Sequence, residues 1–139
     1  MNEINRIVIM ASIVEREYRM AEEAPRIAGV FLNRLRINML LQSCATVQYI
    51  MTEIQGLPHP TVLLYRDLEV RNPYNTYMFR GLPPGPIAAP GLIALRATVY
   101  PETTDFLYFR LVDPAIGRHH FSRTFDEHLR VGRLYVKPP

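Results

Sequence analysis

Cysteine, tryptophan, lysine and long apolar runs are scarce or missing in this chain of 139 residues. The scarcity of cysteine and of long apolar runs excludes particular structural features. The single cysteine, Cys44, has no partner for an internal disulfide, so the redox compartment cannot be read from it. No apolar run approaches the roughly 20 residues that a transmembrane helix requires. The N-terminus also lacks the basic start and the continuous apolar segment of a signal peptide.

The charge balance is mildly basic, with 16 Lys and Arg against 13 Asp and Glu and a net charge of +3. An isoelectric point of about 9.2 favours an acidic polymer or a membrane surface as partner. Nucleic acid is not indicated, because lysine is almost absent and no basic run is interleaved with aromatic residues. With 48% hydrophobic residues, the chain can bury the core of one ordinary domain.

Hydrophobic periodicity predicts a single α+β domain over residues 1–139. The first helix, residues 4–20, is apolar on most sides, which is typical of a buried central helix. A second helix is expected with Pro25 in its first turn and Asn38 in a left-handed conformation after its end. The spacing of Thr124 and Glu127 is typical of a capping box at the start of the last helix. Shorter segments are predicted to be helical (46–52 and 90–100) or extended (40–43, and an antiparallel hairpin of 106–112 and 119–123).

Two glutamates on the first helix, Glu15 and Glu17, are candidates for acid/base chemistry. Both fall near apolar positions of the helical wheel. A carboxyl in such surroundings loses hydration, so its pKa rises and it becomes suited to general acid catalysis near neutral pH. The alternative for Glu15 is a solvated side chain at the helix margin, or one paired with Arg19. The helix pattern alone does not rank the two glutamates.

A second candidate feature is the proline- and glycine-rich stretch at residues 73–91. Tyrosine rings there can stack on sugar rings, while amide and hydroxyl side chains can bind sugar hydroxyl and acetamido groups. A rigid proline loop would pre-order one wall of a groove. The alternative is a structural loop packed on the core. The candidate contacts in this stretch are Tyr74, Asn75, Thr76, Tyr77, Pro83 and Gly85.

The sequence gives little support for a metal site, a serine nucleophile or a phosphate-binding loop. Adjacent His119 and His120 would point to opposite faces of a strand, so they cannot readily share a metal ion. Cys44 has no spaced partner and there is no His-Glu-x-x-His pattern, so no metal or cofactor is expected. The serines lack the context of a nucleophile elbow, and the glycines lack a phosphate-binding Lys-Ser/Thr pair.

The first half of the chain resembles the MltG (YceG-like) family of endolytic murein transglycosylases. Residues 11–17, ASIVERE, are similar to the family signature ASIVEKE, and residues 27–35, IAGVFLNRL, are similar to the helix that follows it. Residues 41–47, LQSCATV, match the next motif in part, because Cys44 and Ala45 replace the family's Asp and Pro. A sugar contact or helix cap supplied by that Asp is therefore lost.

The second half carries the most distinctive resemblance. YNTY at 74–77 and GLPPGPI at 81–87 match the family's loop motifs. HHFSRT at 119–124 matches the C-terminal hairpin, with His119 at the position of the family histidine, although residues 114–118 replace its glycine-rich turn. The ordered set covers nearly the whole chain. It implies an α+β catalytic domain with a buried catalytic helix, further helices and a C-terminal β-hairpin.

The resemblance also implies a reaction and assigns residues to it. The expected activity is endolytic cleavage of the MurNAc-β-1,4-GlcNAc bond of peptidoglycan, giving 1,6-anhydroMurNAc ends. Glu15 is expected to be the acid/base residue, with Glu17, Asn33, Arg34 and His119 as supporting residues. Groove contacts are expected from Gln42, Ser43, Tyr74, Asn75, Thr76, Tyr77, Pro83 and Gly85. The alternatives are a non-catalytic peptidoglycan-binding module, a lysozyme-type hydrolase and, more distantly, a nucleic-acid-binding domain.

Family resemblance supplies the expected cellular setting. Members carry an N-terminal membrane helix and a LysM-like subdomain, which this sequence lacks, so we expect an excised or truncated catalytic domain that meets the membrane only through the missing segment. The expected location is the extracytoplasmic face of the bacterial inner membrane. The expected partners are glycan strands and the cell-wall synthesis machinery.

Overall fold

The structure, a computed structural model, describes residues 1–135. Within that range it is an α+β arrangement of five α-helices and one two-stranded antiparallel sheet. This confirms the predicted fold class. The elements are α1 (Glu3–Glu17), α2 (Ala24–Arg36), α3 (Cys44–Tyr49), α4 (Leu92–Val99), β1 (Tyr108–Asp113), β2 (Arg118–Ser122) and α5 (Phe125–Tyr135).

Helix α1 is the central element, as its apolar pattern predicts. The Asn2 side chain caps its start by accepting a hydrogen bond from the Asn5 backbone N–H at 2.8 Å. All six residues from 9 to 14 are buried. The helix ends at Glu17, three residues before the predicted end, because Tyr18 is extended (φ −76°, ψ 149°). Tyr18 still packs against the core, so its apolar side chain extends the periodic pattern beyond the true helix end.

The second helix follows the sequence signals closely. Pro25 lies in the first turn of α2, and Asn38 has a φ of 57° after its end, as predicted. Helix α3 begins at Cys44, two residues before the predicted start, and continues into a π-helical turn (Ile50–Ile54). The stretch at 53–72, for which the sequence supports no prediction, contains a short 3₁₀-helix (Tyr65–Glu69).

The C-terminal hairpin pairs Phe109 with Phe121 and Leu111 with His119. Strands β1 and β2 agree with the predicted segments to within two residues at each end. Helix α5 follows at once, and Thr124 Oγ1 accepts a hydrogen bond from the Glu127 backbone N–H at 3.2 Å. The predicted side-chain cap at Thr124 is therefore confirmed, while the Glu127 carboxylate accepts the backbone N–H of Arg123 at 3.2 Å in place of that of Thr124.

The core is formed where α1 packs against α2 and α4, and the hairpin closes one side of α2. Asn33 on α2 donates to the carbonyls of Thr104 and Phe106 at 2.9 Å, which fixes the segment that enters β1. Ser12 on α1 accepts a hydrogen bond from the Ile87 backbone N–H at 3.0 Å. The proline- and glycine-rich loop is thereby tied to the buried helix.

Gly29 marks the closest approach in this packing. A Cβ at position 29 would collide with the backbone carbonyl oxygen of Glu102, and that segment is held to α2 by a bond from Glu102 N to Pro25 O at 3.0 Å. In an open helix, Gly→Ala stabilises by up to about 1 kcal/mol. At position 29 the same substitution should destabilise the fold, because the backbone of Glu102 cannot move aside as a flexible side chain can.

We therefore expect Gly29→Ala to lower the free energy of unfolding by about 1–3 kcal/mol, measured by urea denaturation. The control is Arg36→Ala, an exposed change on the same helix, which should stay within about 0.5 kcal/mol of wild type. A more stable Gly29→Ala protein would show that the approach of residue 102 does not constrain this helix.

Candidate active site

A cavity of about 410 Å³ lies where the C-terminal end of α1 meets α2, the segment after α2, the hairpin and α5. This volume lies within the usual range of ligand sites. Its described lining has one carboxylate, that of Glu17, and several basic side chains. The basic side chains are Arg16, Arg19, Arg34, His119 and His128. The cavity is therefore suited to an anionic or strongly hydrogen-bonding ligand.

Glu17 is the last residue of α1 and lines this cavity. Ser43 Oγ donates a hydrogen bond to Glu17 Oε1 at 2.7 Å. Burial raises the pKa of the Glu17 carboxyl, and the Ser43 hydrogen bond and the charge of His119 offset part of that rise. A carboxyl of this kind keeps a proton closer to neutral pH, which is the property of a general acid.

Glu15 has a different environment. It is not among the residues that line the cavity, as expected for a side chain about 200° away from Glu17 around the helix. Its Oε1 instead accepts a hydrogen bond from the Gly91 backbone N–H at 2.7 Å. Gly91 is the N-cap of α4, where a carboxylate satisfies a free donor and interacts favourably with the helix dipole. Glu15 therefore joins α1 to α4.

The segment around Ser43 is held from behind by buried threonines. The Ser43 backbone N–H donates to Thr76 Oγ1 at 2.9 Å, and Gln42 N–H donates to Thr76 O at 3.1 Å. The hydroxyls of Thr46 and Thr76 lie 2.8 Å apart. This network fixes the position from which Ser43 reaches Glu17.

Asn75 and Thr76 thus serve the scaffold, being 0% and 1% exposed. Asn75 Nδ2 donates to the carbonyls of Leu68 and Val70 at 2.9 and 2.8 Å, while its Oδ1 accepts from Tyr77 N–H at 2.9 Å. Neither side chain lies on the cavity surface, so the expected sugar contacts of these two residues are not supported by their positions.

Gln42, Cys44 and Tyr77 do line the cavity. Gln42 is exposed and adopts a left-handed conformation with a φ of 52°. The Tyr77 hydroxyl lies 3.0 Å from Cys44 Sγ, and burial raises the pKa of Tyr77, with further contributions from Cys44 and Glu17. Of the expected groove residues, these positions bring Gln42 and Tyr77 to the cavity directly, and Ser43 reaches it through Glu17.

Tyr74, Pro83 and Gly85 form a support outside the cavity lining. The Tyr74 ring lies 4.9 Å from that of Tyr49, and Pro83 is fully buried. A Cβ on Gly85 would lie 2.8 Å from the Tyr74 hydroxyl oxygen, so a larger residue at this position would require the Tyr74 side chain to shift. These residues position the loop and do not face the 410 Å³ cavity.

Arg34 both stabilises the scaffold and lines the cavity. Its guanidinium donates to the carbonyls of Leu107, Leu40 and Leu41 at 2.7, 3.0 and 3.0 Å, which joins the residue before β1 to the segment before Ser43. The same group lines the cavity and lies 5.1 Å from the centre of the Tyr108 ring. Asn33, one residue earlier, bonds only to backbone carbonyls among the contacts described above and is structural.

Several lining residues were not among the predicted site residues. Arg16 lies on α1, Arg19 two residues beyond its end, Tyr108 on β1 and His128 on α5, and the fold brings them together around one cavity. Arg16 also borders a second cavity of about 260 Å³, which contains Gln48, Tyr49 and Glu53. Arg16 is the one described residue that lines both cavities.

Within residues 1–135, no three His, Cys, Asp or Glu side chains are grouped so that they could hold a metal ion. No helix in this range combines the length and the apolar character that crossing a bilayer requires.

Comparisons with known proteins agree on one family. The YceG-like family model matches residues 1–133. A Bacillus subtilis (strain 168) protein named endolytic murein transglycosylase is 38% identical over 133 residues, covering 96% of this chain and 35% of that protein. A protein of the same name from Streptococcus pneumoniae (strain D39) is 34% identical over 131 residues, covering 91% of this chain and 23% of its own length. The chain thus spans about a third or less of these curated relatives.

A solved structure extends the agreement to the fold. The crystal structure of a YceG-like protein from Listeria monocytogenes superposes with a TM-score of 0.82 at 41% sequence identity. The match covers 92% of this chain and 40% of that one. From the family model, the identities to relatives and the shared fold, we conclude that this chain belongs to the YceG-like family.

Proposed function

We propose that this chain is the catalytic part of an endolytic peptidoglycan lytic transglycosylase and that Glu17 is its acid/base residue. The observation that carries the proposal is the half-buried Glu17 carboxyl, which lines the 410 Å³ cavity and accepts a hydrogen bond from Ser43 Oγ at 2.7 Å. Family membership points to murein as substrate, since relatives bear the name endolytic murein transglycosylase.

The resemblance assigned the acid/base role to Glu15, and we assign it to Glu17 for two reasons. Glu17 lines the cavity and burial raises its pKa, whereas Glu15 is not in the lining and bonds to Gly91 N–H at 2.7 Å. The Glu15 carboxylate is instead held at the N-terminus of α4, outside the cavity in which a substrate would bind.

The reaction proceeds in two proton transfers at one carboxyl. Protonated Glu17 donates to the glycosidic oxygen as the bond between MurNAc C1 and that oxygen breaks through an oxocarbenium-like state. Ionised Glu17 then removes the proton from the C6 hydroxyl of the same MurNAc, whose oxygen bonds to C1 and closes the 1,6-anhydro ring. Because the nucleophile is within the substrate, proximity replaces activation of a water.

The cavity composition supports this reaction over a two-carboxylate hydrolysis. Glycosidases generally use a pair of carboxylates that flank the bond. Glu17 is the only carboxylate in the described lining, so a second carboxylate is not available there to activate water or attack C1. The basic lining residues suit a polymer whose peptide stems carry carboxylates. Gln42, Tyr77 and Arg34 are the proposed sugar contacts.

Membership of the family suggests the cellular location and the partners of this chain. We propose that the chain acts on the extracytoplasmic face of the inner membrane, on strands delivered by the cell-wall synthesis machinery. A peptidoglycan-binding module without activity is the second candidate, and Cys44 at the cavity, in place of the family's Asp, is the feature that favours it.

Digestion of purified peptidoglycan followed by mass spectrometry tests the reaction and the residue together. We expect anhydromuramoyl ends from the wild type and a rate lower by about 10²–10⁴-fold for Glu17→Gln. The matched control is Glu15→Gln, the same change two residues away, which should keep activity within a few-fold. Loss of activity in Glu15→Gln alone would return the role to Glu15. Reducing ends would identify a hydrolase, and saturable binding without cleavage would favour the binding module.

The raised pKa of Glu17 also predicts a pH-dependent cost in stability. Because the folded-state pKa lies above the ordinary value of 4.5, the carboxyl destabilises the fold progressively as pH rises from there through the raised pKa. Glu17→Gln removes this titration while keeping an oxygen for Ser43. The variant should therefore match the wild type below pH 4.5 and unfold at higher urea concentration than the wild type at pH 8. Stability curves that stay parallel across this range would contradict the burial of an ionisable Glu17.

A further inference from the structure

A buried carboxylate and imidazole pair lies behind the cavity wall. Glu23, in the 3₁₀-helix Ala21–Glu23, and His119, in β2, are separated by 96 residues in sequence. Glu23 Oε1 lies 3.0 Å from His119 Nδ1, and the two side chains are only 11% and 6% exposed. The Glu23 carboxylate also accepts the His119 backbone N–H at 3.0 and 3.2 Å. The pair therefore has fixed geometry.

The bond determines which ring nitrogen carries the proton. An ionised carboxylate can only accept hydrogen bonds, so Nδ1 of His119 must be the donor. In the neutral ring the other nitrogen, Nε2, is then an unprotonated acceptor. Because Glu23 occupies Nδ1, Nε2 is the nitrogen that His119 can offer to a ligand in the cavity that it lines.

The surrounding rings hold this orientation. The His119 ring meets Phe109 edge to face, with 5.5 Å between centroids, and lies 6.4 Å from Phe121. Both phenylalanines pack on the core, and Phe109 also lines the cavity. His119 and Glu17 are in the same lining.

The other two hairpin and α5 histidines lack this arrangement. His120 Nε2 lies 3.7 Å from Glu127, with both side chains at least one-third exposed. His128 stacks on Tyr108 at 5.1 Å. Among these three histidines, only His119 combines a buried carboxylate partner with a place in the cavity beside the proposed acid.

We propose that Glu23 is a positioning residue that holds His119 with its proton on Nδ1, so that His119 Nε2 accepts a hydrogen bond from a substrate hydroxyl bound beside Glu17. This rests on the proposed function, in which Glu17 takes the single proton of the MurNAc C6 hydroxyl. The hydroxyl that donates to His119 Nε2 is therefore a different one, on the adjoining GlcNAc, and this hydrogen bond holds the strand so that the C6 oxygen of MurNAc faces C1. In serine proteases a buried carboxylate on Nδ1–H holds an imidazole in the required tautomer in the same way.

Two substitutions separate this role from a structural one. Glu23→Gln keeps an oxygen for the His119 backbone N–H but no longer fixes the tautomer. His119→Asn keeps a donor near the position of Nδ1 and removes the nitrogen at the position of Nε2. We expect each to lower kcat by roughly 10²-fold with a smaller effect on KM. His119→Gln, whose amide reaches the Nε2 position, should recover part of the loss.

Urea denaturation of each variant establishes that it is folded before kinetics are compared. A folded His119→Asn protein with kcat within two-fold of wild type would overturn the inference. If the wild type cleaves and only Glu17→Gln is inactive, the proposed function stands while the role of the pair fails.

Nitrogen NMR of the histidine rings tests the pair without relying on activity. The wild type should show His119 protonated at Nδ1, and Glu23→Gln should lose that preference. Addition of a peptide-free GlcNAc-MurNAc tetrasaccharide should shift the Nε2 resonance of wild-type His119. An Nε2-protonated tautomer in the free wild type, or an Nε2 resonance that does not respond to saturating tetrasaccharide, would overturn the inference.

Discussion

The hydrogen bond from Ser43 to Glu17 is the interaction on which the site depends. A carboxyl at the end of a buried helix is costly to leave without a polar partner, and Ser43 Oγ supplies one at 2.7 Å. Ser43 can do so only because its backbone is held by Thr76, which is itself bonded to Thr46. The chain of contacts therefore runs from the loop at residues 74–77, through α3, to the proposed catalytic carboxyl.

Burial of α1 gives that carboxyl a fixed place. Ser12 holds the proline- and glycine-rich loop against the helix, and Glu15 caps α4 through Gly91. Two glutamates separated by a single residue thus have different tasks, one joining helices and one facing the cavity. The helical geometry that separates them by about 200° is what allows a single short motif to serve both packing and chemistry.

The distribution of charge around the cavity agrees with a site in which one carboxyl carries out both proton transfers. Basic side chains dominate the described lining and Glu17 stands alone as a carboxylate. That composition fits a reaction whose nucleophile belongs to the substrate, where one carboxyl suffices for both proton transfers. Arg34 shows how closely fold and site are combined, because its bonds to three carbonyls hold the walls together while its guanidinium lies in the lining.

The sequence by itself determined the local features of this protein. The apolar pattern of α1, Pro25 in α2, the left-handed Asn38 and the Thr124 cap are set by neighbouring residues, so periodicity and capping rules found them. The same patterns predicted the α+β class, which the family resemblance also implied. The tertiary structure alone decided which side each polar group faces. Sequence spacing did not rank Glu15 against Glu17. It predicted Asn75 and Thr76 as groove contacts, although both side chains are buried in the scaffold. It also could not predict the contact between Glu23 and His119, which are 96 residues apart. Those outcomes depend on which elements pack together, because burial and long-range hydrogen bonds are properties of the folded chain and not of any segment within it.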